Sequence, residues 1–317
     1  MGAYLVTGGT GFIGAYVVRD LLASDHRVAV FDLFPDLPML ELVAGPAAAE
    51  RVSVIRGDVT IATQIFGAVR EAGAEAIVHL ASPLPPESER DASSSLYGIT
   101  EGHVNVLETA RILGLRRVVW ASVTSVFGRP EHHGGLDAAV ANDAPHFPET
   151  LYGIWKSANE RLASLYFARF GVDSIGLRFN QGYGPGKKRG RPFGYQLFEH
   201  ALLGLPYRVP YGDDLVNWQY VEDIAALIVR ALHAPTTRTR VFNTTGEVVT
   251  MRDTAALLAS MLPGARLELE PGRAGLVWRV DTTALRDELG AGAPVPVREG
   301  FARTIATLRG WKEAGKW

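Results

Sequence analysis

The sequence contains no cysteine among its 317 residues, which excludes disulfides, thiolate metal ligation and a thiol nucleophile. It is also short of net charge: 32 Lys and Arg stand against 34 Asp and Glu, a formal −2. No global field favours nucleic acid or an anionic membrane, and neither is expected as a partner. No uninterrupted apolar run approaches the length needed to cross a bilayer. The chain starts Met1-Gly2-Ala3-Tyr4-Leu5-Val6, without a charged segment followed by an apolar one, so no signal peptide is expected. His132-His133 lacks further ligands at metal-binding spacing, and no metal is expected. With 47% hydrophobic and 21% charged residues, the expectation is a soluble, cytoplasmic globular protein with a sizeable core.

What is present is alternation. Short apolar runs at 4–7, 27–31, 52–56, 76–80, 118–122 and 174–178 are expected to be buried strands. Amphipathic stretches at 13–23, 63–72, 101–113 and 154–170 lie between them, and a last strand at 241–243 follows a helix-like 224–231. Right-handed crossovers wind such elements into an α/β fold with a doubly wound parallel (Rossmann) sheet. From Gly182 the rhythm breaks, with Gly184-Pro185-Gly186, Gly190 and Gly194 marking loop. The expected division is 1–181 with 215–247 carrying the sheet, and 182–214 with 248–317 forming a smaller, discontinuous α/β domain.

The first run continues as Thr7-Gly8-Gly9-Thr10-Gly11-Phe12-Ile13-Gly14, a strand, a glycine turn and a helix start. Gly8 makes the tight turn, Gly11 lets the backbone approach a pyrophosphate, and Gly14 lets the helix pack on the strand. The N–H groups of the first helical turn, at Phe12 and Ile13, hold the phosphates. Asp32 follows Val28-Ala29-Val30-Phe31 and can accept hydrogen bonds from the adenosine ribose. Its charge would repel a 2′-phosphate, so the expected cofactor is NAD rather than NADP. Asp58, with Val59 beside it, ends the third strand and is a candidate partner of the adenine amino group. Taken alone it reads as a helix N-cap. The larger part is thus expected to bind NAD, and the smaller one the substrate.

Tyr152 and Lys156 stand four residues apart, one above the other on a helix. A phenol with a pKa of about 10 is a poor base at neutral pH. A nearby ammonium favours the phenolate, and a tyrosine so tuned can take the proton of a secondary alcohol as hydride leaves for NAD. These pieces together resemble the extended short-chain dehydrogenase/reductases, in their NAD-dependent epimerase/dehydratase branch. The resemblance rests on TGGTGFIG at 7–14, Asp32, GDVT at 57–60, HLAS at 79–82, NVLETAR at 105–111, SVTSVFG at 122–128, YGIWK at 152–156 and LRFNQGYGPG at 177–186. It implies that Leu80, Ala81 and Ser82 lie along the cofactor, that Lys156 also binds the nicotinamide ribose, and that Phe179 packs near the nicotinamide. It further implies a homodimer joined through a four-helix interface made by 101–113 and 154–170.

The departures from the family pattern concern the chemistry. Members carry a catalytic Ser or Thr five residues before the glycine of the VYG-like turn, and here that position is Val123, beside the substrate. Thr124, and after it Ser122, are the candidate hydroxyls. The dehydratases of the branch place an acidic pair after the catalytic Thr, where this chain has Thr124 and Ser125, so dehydration is not expected. Gln181 replaces the usual Asn of the strand-end turn. The Arg-Asp that contacts a nucleotide-sugar diphosphate is absent from Val216-Asn217-Trp218-Gln219-Tyr220-Val221-Glu222-Asp223. A basic cluster, Lys187-Lys188-Arg189 with Arg191, stands at the mouth of the smaller domain and is a candidate for a substrate carboxylate or phosphate. Its alternative is a solvated loop. The expected activity is hydride transfer at the carbinol of a small, sugar-like substrate, leaning by branch membership to an epimerase. A dehydrogenase that releases its product and a non-catalytic NAD(H)-binding sensor remain the alternatives.

Overall fold

The computed structural model describes residues 1–317. β1 (Ala3–Thr7) runs through the glycine turn into α1 (Phe12–Ala23), followed by β2 (Arg27–Asp32), α2 (Leu37–Ala44), α3 (Pro46–Ala49), β3 (Ser53–Arg56), α4 (Ala62–Ala72) and β4 (Ala76–His79). A short α5 (Ala92–Leu96) and a π-turn at Tyr97–Glu101 lead into α6 (Gly102–Leu113). Then come β5 (Arg117–Val123), α7 (Leu151–Phe170) and β6 (Ser174–Phe179). The rest comprises β7 (Gln181–Tyr183), α8 (Phe193–Leu203), β8 (Pro206–Val209), β9 (Leu215–Tyr220), α9 (Val221–His233), β10 (Val241–Asn243) and β11 (Glu247–Thr250). It closes with α10 (Met251–Met261), β12 (Arg266–Leu269), α11 (Thr283–Leu289) and α12 (Val297–Glu313).

Seven strands form one parallel sheet in the order β10-β6-β5-β4-β1-β2-β3. Chain order runs outward in opposite directions from the β1/β4 neighbours, so a crevice opens between them at the carboxyl ends of the strands. Both faces are covered. Tyr4 and Val6 of β1 point into one apolar cluster with α1 and α9, while Leu5 points into the other with α4 and α6. That is the doubly wound α/β fold expected from the alternation.

Two departures from the expected elements matter. α7 begins at Leu151, three residues before the amphipathic pattern starts, because Thr150 caps it by accepting from the Gly153 amide at 3.0 Å. Tyr152 therefore sits in the first helical turn. β9, expected with the large sheet, belongs instead to a three-stranded sheet β11-β9-β7. Its residues pair with β11 antiparallel, Trp218 opposite Glu247, and with β7 in parallel. All but Leu215 are buried, which a strand enclosed on both faces requires. Only α9 and β10 return to the main sheet; β8 and β12 make a separate parallel pair. No helix is long and apolar enough to cross a membrane.

Candidate active site

The glycine turn is packed too closely for any side chain. Gly8 has φ +69°, and a Cβ there would meet the Ala81 amide nitrogen at 2.8 Å. A Cβ on Gly14 would fall 2.2 Å from the Gly8 carbonyl oxygen. The turn is closed by the Gly11 N–H donating to Gly8 O at 3.1 Å. Phe12 and Ile13 open α1 with no side-chain cap, no acidic residue and no backbone acceptor for their amides. Free N–H groups at a helix start suit phosphate oxygens. The same packing brings Leu80 and Ala81 against the turn, and the Leu80 N–H donates to Thr7 O at 3.1 Å. The Ser82 hydroxyl is turned to Pro83 O at 3.1 Å.

Asp32 is held ready at the end of β2. Its Oδ2 accepts from the Thr10 amide at 3.1 Å and the Thr10 hydroxyl at 2.7 Å, which leaves Oδ1 for another donor. Thr10, inside the glycine motif, orients the Asp32 carboxylate, a role that sequence reasoning passed over. Asp58 uses Oδ1 to cap the next turn, accepting from the Thr60 amide and hydroxyl, both at 2.9 Å. The Val59 carbonyl accepts from Asn105 Nδ2 at 3.0 Å, which fixes that turn against α6. The closed glycine turn, the free amides and the oriented carboxylate fit a dinucleotide at the switch point.

Tyr152 and Lys156 lie on the face of α7 that meets β5. Tyr152 is 8% exposed, and Lys156 Nζ stands 5.4 Å from its ring centroid while donating to Ala121 O at 2.9 Å. Burial pulls the Lys156 ammonium down to about 8, with the Glu160 carboxylate opposing it. Burial pushes the Tyr152 phenol above its ordinary value, and the charge that opposes this is Arg191. The Ala121 carbonyl takes one of the three donors of the Lys156 ammonium and holds it 5.4 Å from the Tyr152 ring centroid. Behind it, burial and then the charge of Lys156 hold His79 down to about 3, so this imidazole is neutral.

The lysine shift carries a sign. Lys156 binds its proton less tightly in the folded chain, at about 8, than in the unfolded chain at about 10.4. Between those values the unfolded state holds more protons, so this residue's contribution to stability rises with pH. Wild type should therefore gain stability relative to Lys156→Met between about pH 8 and pH 10. Urea unfolding of both proteins across that window checks it. A constant difference would show that the ammonium is not desolvated.

The two candidate hydroxyls are both engaged. Ser122, expected as an alternative substrate ligand, donates its proton to Glu160 Oε1 at 2.6 Å, a charge-assisted bond. Thr124 donates to the neutral Asn180 amide oxygen at 2.9 Å. Val123, between them, is half-buried and packs beside Val126, Phe127 and Val140. Phe179 is buried at the end of β6, and Gln181 is buried at the start of β7, its Nε2 donating to Gly182 O at 3.3 Å. Of the basic cluster, Lys188 and Arg189 are exposed on the loop. Lys187 and Arg191 are half-buried. The place where the family carries its diphosphate arginine is filled by Val216, 1% exposed in the core.

Further residues hold the pair in place. Glu89 accepts from the Leu151 and Tyr152 amides, each at 2.9 Å, so the helix start that carries the tyrosine is pinned from a distant loop. Glu160, one turn after Lys156, is bridged by Arg178 at 2.9 and 2.7 Å, and Arg178 reaches Asn243 at 2.9 Å. This buried group ties α7, β5, β6 and β10 together. Its only sequence signal was helical spacing from Lys156.

A doubly wound sheet with a glycine turn after its first strand, and a helix that sets a tyrosine and a lysine against β5, is the framework of a nicotinamide-dependent oxidoreductase. Comparison with known proteins makes this specific: a model of the NAD dependent epimerase/dehydratase family matches residues 4–244, and the chain belongs to that family. It is an NAD-dependent enzyme of the epimerase/dehydratase type. A UDP-glucose 4-epimerase from Mycolicibacterium smegmatis is 29% identical over 321 residues, covering 96% of this chain and 98% of its own. A dTDP-glucose 4,6-dehydratase from Streptomyces griseus is 30% identical over 334 residues, 98% of this chain and 95% of its own. The UDP-glucose 4-epimerase of Thermus thermophilus in complex with NAD superposes with a TM-score of 0.78 at 28% identity, over 97% and 99% of the two chains.

Proposed function

We propose that the enzyme is a sugar epimerase: it oxidises a carbinol of a sugar or related polyol, then returns hydride to the opposite face of the same carbon. The observation that carries this reading is the buried Tyr152/Lys156 pair facing β5, one strand from the dinucleotide crevice. NAD, when bound, supplies the hydride acceptor and a positive ring. The Gly8–Gly14 turn, Asp32, Asp58, Val59, Leu80, Ala81, Ser82 and Phe179 hold it, and Lys156 fixes the nicotinamide ribose. Tyr152 takes the hydroxyl proton in the oxidative step and gives it back in the reductive one. Thr124 binds the substrate oxygen in preference to Ser122, because its bond to a neutral amide is more easily exchanged than a bond to a carboxylate. The absence of an acid at Thr124 and Ser125 favours epimerisation over elimination of water. In this reading 1–181 with 215–247 bind the nucleotide, and 182–214 with 248–317 bind the substrate, with β9 at the seam.

An epimerase must keep its dinucleotide through the cycle, whereas a dehydrogenase must exchange it. Acid-denatured protein should release stoichiometric NAD+ or NADH. Protein that purifies empty and accumulates free NADH from a secondary alcohol would turn the assignment to a dehydrogenase.

We also propose a homodimer. Tyr97, Ile112, Ile154 and Leu165 are 41–58% exposed along the π-turn, α6 and α7, an apolar face that a second copy would cover with a four-helix contact. Light scattering should give twice the 34.3 kDa chain mass, and Leu165→Glu should give one chain. A wild-type monomer at working concentration rejects it. A cytoplasmic location goes with this reading, and cell fractionation should recover the protein with the soluble enzymes.

A further inference from the structure

The lysines of this chain are gathered in one place. There are five, and all but Lys156 line a single half-open cavity of about 430 Å³: Lys187, Lys188, Lys312 and Lys316. The chain's ion pairs are made throughout by arginine or histidine, and no lysine enters one. Glu199 is the one acidic side chain on the cavity wall, and it pairs with none of them. Like charges assembled without a counter-ion repel, and a bound anion offsets that cost. The cavity lies between α2, the 184–188 loop, α8 and the end of α12. Phe198 and Leu308, both buried, form its base. Trp311 and Trp317 line it as well, and both pack on the larger apolar cluster. Their placement is built by the chain: Gly315 turns at φ +66°, and the Lys316 amide donates back to Trp311 O at 2.8 Å, a cap that favours glycine. The dinucleotide part meets the same loop elsewhere, where the Tyr16 hydroxyl donates to Pro185 O at 3.1 Å and Lys187 Nζ turns to the Gly182 carbonyl. The ammonium groups left for a ligand are those of Lys188, Lys312 and Lys316, all exposed.

We propose that this cavity is a second ligand site, separate from the catalytic crevice, and that it takes a nucleoside phosphate. Lysine ammonium groups suit phosphate oxygens as point charges on flexible stems. The two indoles supply flat apolar area for a heterocyclic base, and stacking on an aromatic ring tolerates any base. A volume of about 430 Å³ stands in the lower part of the range for small-molecule sites, about 300–1,000 Å³, which suits a mononucleotide. A concave wall with a buried apolar base favours such a molecule over an extended anionic surface. Tyr152, Lys156, Thr124, Asp32 and the glycine turn take no part in the lining, so the proposal stands apart from the reading of the active site.

The test uses NAD-loaded full-length protein, so that the cofactor site is filled, and titrates it with AMP, UMP and inorganic phosphate. Calorimetry reads affinity, and tryptophan fluorescence reads stacking. At least one nucleotide should bind more tightly than inorganic phosphate and quench the fluorescence. The double variant Lys312→Glu with Lys316→Glu should weaken it by about tenfold or more. Both lysines are exposed, so NAD content and thermal midpoint should stay at the wild-type values. Trp311→Leu should weaken the nucleotide and leave inorganic phosphate unchanged. Nucleotide affinity that survives the double lysine variant places the nucleotide elsewhere, in the catalytic crevice, and overturns the proposal. So does inorganic phosphate that binds as tightly as the nucleotides, which would make the lysines a site for an adventitious ion only. Absence of nucleotide binding at millimolar concentration overturns it too, and sedimentation with phosphatidylglycerol vesicles in that case would assign the lysines to a membrane surface.

Discussion

Tyr152→Phe should lower turnover by about 10²–10⁴-fold, the usual worth of a positioned acid or base, with NAD affinity unchanged. The phenyl ring keeps the packing of a side chain that is only 8% exposed, so the fold is not the casualty. What is lost is the one group able to take the carbinol proton on this face of α7. The phenol is raised by burial in the protein alone, so its activation depends on positive charge brought near it. Arg191 already contributes, and the oxidised nicotinamide ring adds to it. Turnover should accordingly rise with pH until the phenol ionises, and the variant should lose that limb. Stopped assays of substrate consumption with wild type and variant at matched NAD occupancy decide the matter. Turnover that survives in Tyr152→Phe would remove the phenol from the mechanism.

Glu160→Gln should cost about 3–5 kcal/mol of stability, the range found when one member of a buried ion pair is removed. Glu160 and Arg178 are each 4% exposed, and the guanidinium would be left as a buried cation with only neutral acceptors. Ser122 would also lose its charged acceptor, loosening the end of β5 just where Thr124 begins the loop. The urea midpoint should fall at an unchanged m-value. The double variant Glu160→Leu with Arg178→Met should recover much of the loss, since an apolar pair of similar volume carries no desolvation penalty. A single variant as stable as wild type would show that the pair is solvated, contrary to its geometry.

The α/β fold was legible because its signals are local. A parallel strand covered on both faces is a continuous apolar run, a helix between strands is amphipathic, and the tight turn at Gly8 admits only glycine. The seven strands of the main sheet follow from that grammar to within a residue or two. The Tyr152/Lys156 spacing was equally legible, since four residues on a helix fix one face. β9 was misplaced for the same physical reason. A short buried strand has no local mark to say which sheet it joins, and that choice belongs to its partners β7 and β11.

Side-chain partners were not legible at all. Whether Ser122 or Thr124 is free depends on where Glu160 and Asn180 arrive, 38 and 56 residues away. Which of four basic residues are half-buried depends on how the loop before α8 folds back, Arg191 against Trp278. Sequence alone thus determined the sheet, the cofactor turn and the helix face of the reacting pair, all set by contacts between near neighbours in the chain. The tertiary structure alone decided which hydroxyls are spent and which charge is left unpaired, because those depend on desolvation by residues far apart in sequence.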